Sequence, residues 1–237
     1  MQVLLIRHGR PHHVTEVGAA ADPALDDLGH QQAASVATAL AAGTYGRVVG
    51  VASSTMRRAL ETAQPSAEAL GLTVTADRRI TELDDGSTSY GKGGFADFAS
   101  RREAWASINA GRWSDHVFDP AAFSARVVEG MEALIEWHTG RVGTRGAPDD
   151  ALAVFCHGGV ISAYIGHVTR TAQPLFMSPD HGSVSRMLVE PDGYREVLSV
   201  NERAHLDRQP AVSNPMPHAD SDVSVDGNTG TVTVHSS

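Results

Sequence analysis

Three short runs of apolar residues, each stopped by an arginine or a histidine, constrain this chain more than any other feature. Val3-Leu4-Leu5-Ile6 ends in Arg7-His8-Gly9, Val48-Val49-Gly50-Val51-Ala52-Ser53 leads into Arg57-Arg58, and Leu152-Ala153-Val154-Phe155-Cys156 ends in His157-Gly158-Gly159. A strand that is apolar on both faces needs helices over both faces of its sheet, which is the setting of parallel strands. The intervening segments supply the helices. From Gly29 to Ala42, residues Ala33, Val36, Ala37 and Leu40 recur at spacings of three and four, the signature of an apolar helix face. Thr55 to about Leu70 reads as a second helix, interrupted or kinked at Pro65. The predicted fold is α/β, a three-layer α/β/α domain with a mainly parallel central sheet. Ligands of such sheets bind at the carboxyl ends of the strands, where the three runs would gather Arg7, His8, Arg58 and His157. That collection of donors and cations suits an anion.

The motifs agree with that placement and occur in a characteristic order. They are Arg7-His8-Gly9, the segment Leu25-Asp26-Asp27-Leu28-Gly29-His30-Gln31-Gln32-Ala33, the segment Ser53-Ser54-Thr55-Met56-Arg57-Arg58-Ala59-Leu60-Glu61-Thr62-Ala63, then Glu82-Leu83-Asp84-Asp85-Gly86, and finally His157-Gly158-Gly159-Val160. Together they resemble the histidine phosphatase superfamily, in its phosphoglycerate mutase-like branch, over roughly residues 1 to 205. The resemblance implies a phosphoglycerate mutase-like fold and a metal-independent phosphomonoesterase that works through a phosphohistidine. A cofactor-dependent mutase and a non-catalytic module that merely binds a phosphorylated ligand are the alternatives.

The residues can carry that chemistry. A neutral imidazole of His8 can attack phosphorus and so split hydrolysis into two easier steps. Arg7 and Arg58 would lower the pKa of His8 by like-charge repulsion and clamp the phosphoryl oxygens with planar guanidinium forks. Arg57 competes with Arg58 for the second clamp, but the family pattern Arg-Ala-x-x-Thr-Ala falls on Arg58-Ala59-Leu60-Glu61-Thr62-Ala63, leaving Arg57 to a salt bridge or solvent. His157 would donate to the phosphate, with Gly158 and Gly159 allowing close backbone approach and a helix N-terminus. One carboxyl group should protonate the leaving oxygen and later activate water. Glu82 is the candidate for both steps, with Asp84 and Asp85 as rivals.

The chain also departs from the family. Arg10-Pro11 follows the first motif where Glu-Thr or Gln-Thr is usual, and Val14 stands where many members carry a phosphate-binding Asn. Arg10 could meet a second anionic group of the substrate or form an outward salt bridge. Two decoys fail on inspection. Gly86-Ser87-Thr88-Ser89-Tyr90-Gly91-Lys92-Gly93 nearly spells a P-loop, but Gly93 replaces the required Ser or Thr and no strand precedes it. His8, His12 and His13 lack neighbouring carboxylates at ligand spacing, so no metal and no other cofactor is expected.

Composition sets outer limits. The net charge of -9 opposes general nucleic-acid binding, while the local Arg and His residues still suit a small phosphorylated substrate. No apolar run approaches the roughly 18 residues of a membrane span, and the first strand begins almost at Met1 without a secretory pattern. A cytoplasmic protein that does not engage membranes is expected, with a homodimer allowed. Cys156 is the sole cysteine. A cysteine phosphatase would need Arg six positions on, where Ser162 stands, so Cys156 reads as a buried strand residue.

The remaining segments complete a catalytic domain over residues 1–206. Residues 84 to 119 break the alternating pattern and read as a lid or insertion, in which Lys92, Arg101, Arg102, Trp105, Arg112 and Trp113 either recognise a leaving group or form a charged outer face. Thr73-Val74-Thr75 reads as a short strand and Phe123 to His138 as a helix. Ser185 to Val189 and Glu196 to Val200 read as a hairpin. Residues 207–237 form a Pro- and Ser-containing linker and tail, with a small hairpin of Val223-Ser224-Val225 and Thr231 to Val234.

Overall fold

Residues Val3 to Ile6 have no exposed surface, and their side chains alternate between two cores. Val3 and Leu5 join one apolar cluster, Leu4 and Ile6 the other, as the two-residue period of a strand requires. The computed structural model describes residues 1–13, 22–87, 95–113, 116–142, 149–206, 223–225 and 232–234. It shows five helices and ten strands in those residues, named in chain order β1 (Gln2–Arg7), α1 (Asp27–Ala41), β2 (Arg47–Ser54), α2 (Arg57–Leu70), β3 (Val74–Asp77), α3 (Arg101–Asn109), β4 (Arg112–Trp113), β5 (His116–Val117), α4 (Pro120–Val142), β6 (Asp150–Cys156), α5 (Gly158–Thr169), β7 (Val184–Val189), β8 (Arg195–Glu202), β9 (Val223–Val225) and β10 (Val232–Val234).

Six strands form one sheet in the order β3-β2-β6-β1-β7-β8. The first three pairings are parallel, and β7 and β8 add an antiparallel edge. Helices α1 and α2 cover one face through Val36, Leu40, Ala63 and Ala67, while α4 and α5 cover the other through Val127, Met131, Val160 and Tyr164. The three-layer architecture with a mainly parallel sheet is therefore as expected.

Local sequence sets the helix ends. Asp26 caps α1 by accepting from Gly29 N at 2.8 Å, satisfying a donor that the first turn leaves free. Helix α2 runs unbroken through Pro65 rather than stopping there. A proline inside a helix costs about 3 kcal/mol, and the face of Ala59, Thr62, Ala63, Ser66 and Ala67 buried beside it offsets that cost. Gly71 ends the helix in the left-handed region at φ 65°, which glycine adopts without strain.

The segment between Asp84 and Asp119 contributes to the core. Phe95, Ala104 and Ile108 are buried within the cluster beneath α4 and α5. Trp105 and Trp113 close on the Phe95 ring at centroid distances of 5.0 and 5.5 Å, and the Arg101 guanidinium lies over it at 5.1 Å. These two tryptophans pack within the segment instead of lining a charged outer face. Val14, Lys92, most of the P-loop-like stretch and the linker after Leu206 lie outside the described residues. At the end of the chain β9 and β10 pair antiparallel. No helix among the described residues is long and apolar enough to cross a membrane.

Candidate active site

Strand register brings the key residues together. Arg7 pairs with Cys156 across β1 and β6, so the next residue of each strand, His8 and His157, emerges at the same carboxyl edge. Their ring centroids are 5.1 Å apart, close to the spacing of adjacent strands, about 4.8 Å. His8 N donates to Cys156 O at 2.9 Å, which continues the ladder by one residue.

The His8 imidazole is buried, and its Nδ1 lies 2.7 Å from Gly9 O. A carbonyl can only accept, so Nδ1 carries the proton and Nε2 keeps its lone pair. Burial holds the His8 pKa well below 6.5, with Arg58, His157, His181 and Arg7 adding to it in that order. Desolvation thus outweighs the like-charge repulsion expected from the sequence, though both favour the neutral ring.

His157 ends β6 and is the N-cap residue of α5. Its Nε2 lies 2.8 Å from Ser54 Oγ, which also accepts from Met56 N at 3.2 Å. A ring whose Nε2 accepts from Ser54 keeps its proton on Nδ1, the donor that a phosphate oxygen would need. That nitrogen is buried without a hydrogen-bond partner among the described residues. Burial, then Arg58 and Arg7, keeps this ring neutral as well.

Arg58 is fully buried on the first turn of α2 and donates to Asp84 Oδ1 at 2.9 Å. Thr62, one turn on, donates to Arg58 O at 2.7 Å and accepts from Gly9 N at 2.9 Å. Helix α2 is thus tied to the loop that carries His8. Arg57 is 61% exposed and paired with Glu61 one turn away at 2.7 Å. Arg7 donates to Pro179 O, and its guanidinium passes beside Gly158. Arg10 pairs with Asp26, the salt-bridge option left open by the sequence.

Glu82 follows a 3-10 turn, Arg78–Ile80, that Arg126 of α4 grips by donating to Arg79 O at 2.9 Å, Thr81 Oγ1 at 2.8 Å and Thr81 O at 3.1 Å. Sequence reasoning passed over Arg126, Ser54 and Thr62 in these supporting roles. The Glu82 carboxylate accepts from Gly159 N at 2.9 Å and Leu83 N at 2.9 Å. A Cβ on Gly159 would stand 2.2 Å from Glu82 Oε1, so only glycine permits this approach to the start of α5. Burial and then the nearby Asp84 raise the Glu82 pKa, opposed by the two backbone N–H groups and Arg58. Asp84 is occupied by Arg58, whereas Asp85 is exposed and accepts from Thr81 Oγ1 at 3.0 Å.

His181, on the loop before β7, was not singled out from the sequence. Its ring lies 5.2 Å from His8. The cue was its place three residues ahead of a strand, but nothing in the sequence says that this strand pairs with β1. Among the described residues no three His, Cys, Asp or Glu side chains are grouped to hold a metal ion.

Arg7 and Arg58 thus share one sheet edge with the adjacent imidazoles of His8 and His157. The family model described as the histidine phosphatase superfamily, branch 1, matches residues 3–202. The chain belongs to that superfamily. No curated protein sequence matches it. Among solved structures, a mycobacterial glucosyl-3-phosphoglycerate phosphatase complexed with VO3 superposes with a TM-score of 0.67 at 23% identity, covering 84% of this chain and 98% of that one. Phosphoserine phosphatase from Entamoeba histolytica, a mutant in complex with phosphoserine, gives 0.61 at 19% identity, covering 86% and 98%. Phosphoglycerate mutase from Bacillus anthracis gives 0.61 at 19% identity, covering 88% and 96%. At these identities the likeness speaks for the fold that this superfamily member shares with them.

Proposed function

We propose that the protein is a metal-independent phosphomonoesterase for a small phosphorylated substrate, with His8 as the nucleophile. The observation that carries this reading is the hydrogen bond from His8 Nδ1 to Gly9 O, which presents an unprotonated Nε2 beside Arg7, Arg58 and His157. Attack by Nε2 on phosphorus forms the N–P bond as the ester P–O bond breaks. Arg7 and Arg58 hold the negative charge on the non-bridging oxygens, and His157 donates to it from Nδ1. Glu82, its pKa raised by burial, protonates the departing alkoxide. The resulting carboxylate then takes a proton from water as that water attacks phosphohistidine, which releases inorganic phosphate and restores both residues. The structural relatives whose names include glucosyl-3-phosphoglycerate phosphatase and phosphoserine phosphatase favour hydrolysis of a small ester over the mutase alternative.

Rapid quenching of the wild-type reaction should trap acid-labile phosphate on His8, and His8→Ala should lose turnover. A rate in His8→Ala within about tenfold of wild type, when loss of a nucleophile ordinarily costs far more, would remove His8 from the reaction. EDTA should leave the rate unchanged, because guanidinium groups take the part that cations play elsewhere. With 3-phosphoglycerate and a trace of 2,3-bisphosphoglycerate, phosphorus NMR should show free phosphate. Faster appearance of 2-phosphoglycerate would assign the protein to the mutases.

A further inference from the structure

The sheet order β6-β1-β7 presents three strand ends side by side at the site. Because β7 is antiparallel to β1, with Ile6 opposite Val184, the loop entering β7 lies at the edge where β1 and β6 end. His157 and His181 thus flank His8 from the two neighbouring strands, at 5.1 and 5.2 Å and with ring tilts of 58° and 49°. The sequence accounts for the first of these flanking rings. The second belongs to no motif.

The loop that carries His181 is held from several directions. Gly182, at φ 73°, donates from its N–H to Arg7 O at 3.1 Å and His8 O at 3.3 Å. His205 Nε2 meets Gly182 O at 2.8 Å, and Arg7 donates to Pro179 O. Asp180 N donates to Asn201 Oδ1 at 2.7 Å, while the Asp180 carboxylate pairs with Arg203 at 3.1 Å. A loop backbone fixed this firmly is preorganised, so little backbone ordering remains when a ligand binds.

His181 Nε2 is nevertheless buried with no hydrogen-bond partner among the described residues. A buried polar nitrogen left unmatched costs about 1–3 kcal/mol, a cost that a ligand able to accept from it would recover. The groups that act on this ring are cationic or ionisable to cations: Arg7, Arg58, Arg10 and His13, with His8 in ring contact. Such a field selects an anion as that ligand.

We propose that His181 is a phosphoryl-binding residue, donating from Nε2 to a non-bridging phosphoryl oxygen on the β7 side of His8 while His157 donates on the β6 side. This assignment rests on the phosphatase reading given above. It gives the transferring group an imidazole donor on each flank of the nucleophile, in addition to the two guanidinium clamps.

Inorganic phosphate is the probe, with binding measured by calorimetry and turnover measured on p-nitrophenyl phosphate. His181→Leu keeps the bulk of the ring and removes the donor, whereas the amide of His181→Gln can place a donor near the former Nε2. His181→Leu should weaken phosphate binding and lower kcat/KM by about ten- to a hundredfold, the worth of a hydrogen bond to a charged group. His181→Gln should regain most of both. Circular dichroism confirms that each variant is folded. Should either variant fail to fold, nitrogen-15 spectra of the wild-type histidine rings decide, because added phosphate must shift His181 Nε2 and protect its proton from exchange. Unchanged phosphate binding in folded His181→Leu, or an unmoved His181 Nε2 signal in wild type saturated with phosphate, overturns the His181 assignment alone. A wild-type protein that neither binds inorganic phosphate nor cleaves the ester overturns this assignment and the phosphatase reading together.

Discussion

At the scale of single residues, the site separates two carboxylates that the sequence leaves as rivals. Asp84 lies against Arg58 at 2.9 Å, while Glu82 faces the backbone of α5 through Gly159. A carboxyl group engaged with a guanidinium is a poor proton donor, because the cation favours its ionised form. Burial raises both carboxyl pKa values, and Arg58 opposes it at both, as the leading opposing group and a direct hydrogen-bond donor at Asp84 and as the last of the opposing causes at Glu82. Glu82→Gln is therefore expected to slow cleavage of an alkyl phosphate by about 10² to 10⁴, the usual contribution of a positioned acid or base. In single-turnover phosphorylation the loss should shrink on an aryl phosphate, whose leaving group departs without a proton. Asp84→Asn should reduce rates on both ester types alike, through a misplaced Arg58. Comparing the alkyl-to-aryl ratio of the two variants tests the assignment, and a changed ratio in Asp84→Asn alone would transfer the acid to Asp84.

At the scale of elements, two glycines have opposite roles. A Cβ on Gly159 meets the end of the Glu82 side chain at 2.2 Å, which can swing away, whereas a Cβ on Gly29 meets Arg10 O, a backbone atom, at 2.1 Å. Gly159→Ala should fold with near-normal stability yet lose activity on alkyl phosphates to an extent approaching Glu82→Gln. Gly29→Ala must force α1 away from the loop after β1, and overpacking of that kind costs about 1–3 kcal/mol or more. Urea unfolding alongside kinetics distinguishes the two, and an unstable Gly159→Ala or a fully stable Gly29→Ala would contradict this packing. The same elements show what a sequence can disclose. Strands β1 and β6 were legible because burial on both faces demands an unbroken apolar run, and their ends carried Arg7, His8 and His157 with them. Helix α2 was legible except for its continuity through Pro65, since a tertiary contact outweighed a local preference. His181 was hidden because its importance depends on β7 pairing with β1 across most of the chain, a register that no local pattern encodes. Arg126 was hidden for a similar reason, its partners being the carbonyls of a turn some 45 residues earlier.

At the scale of the whole molecule, assembling the site commits the fold to holding three imidazoles without charge. His8, His157 and His181 all have pKa values held well below 6.5, burial being the largest cause for each. Above about pH 6.5, the usual value for a histidine in an unfolded chain, these rings are neutral in both states and pH has no hold on stability through them. Below it the unfolded chain takes up protons that the folded protein refuses, so the unfolded state binds more protons and stability falls as the pH drops. Each ring contributes up to about 1.4 kcal/mol per pH unit in that window. Glu82 and Asp84 act in the opposite direction, since their raised pKa values let the folded state take up protons before the unfolded state does. The decline should therefore steepen through the unit below about pH 6.5 as the unfolded histidines fill with protons, and ease wherever these carboxylates are protonated in the fold but not in the open chain. Urea unfolding at half-unit steps from pH 7.5 to 5 measures this directly, and His8→Gln, which cannot take up that proton in either state, should flatten the decline by as much as one proton's worth. A stability that holds level from pH 7 to 5.5, or a decline of equal slope in wild type and His8→Gln, would mean that the folded site accepts protons as readily as the open chain and that His8 is not held as a neutral nucleophile.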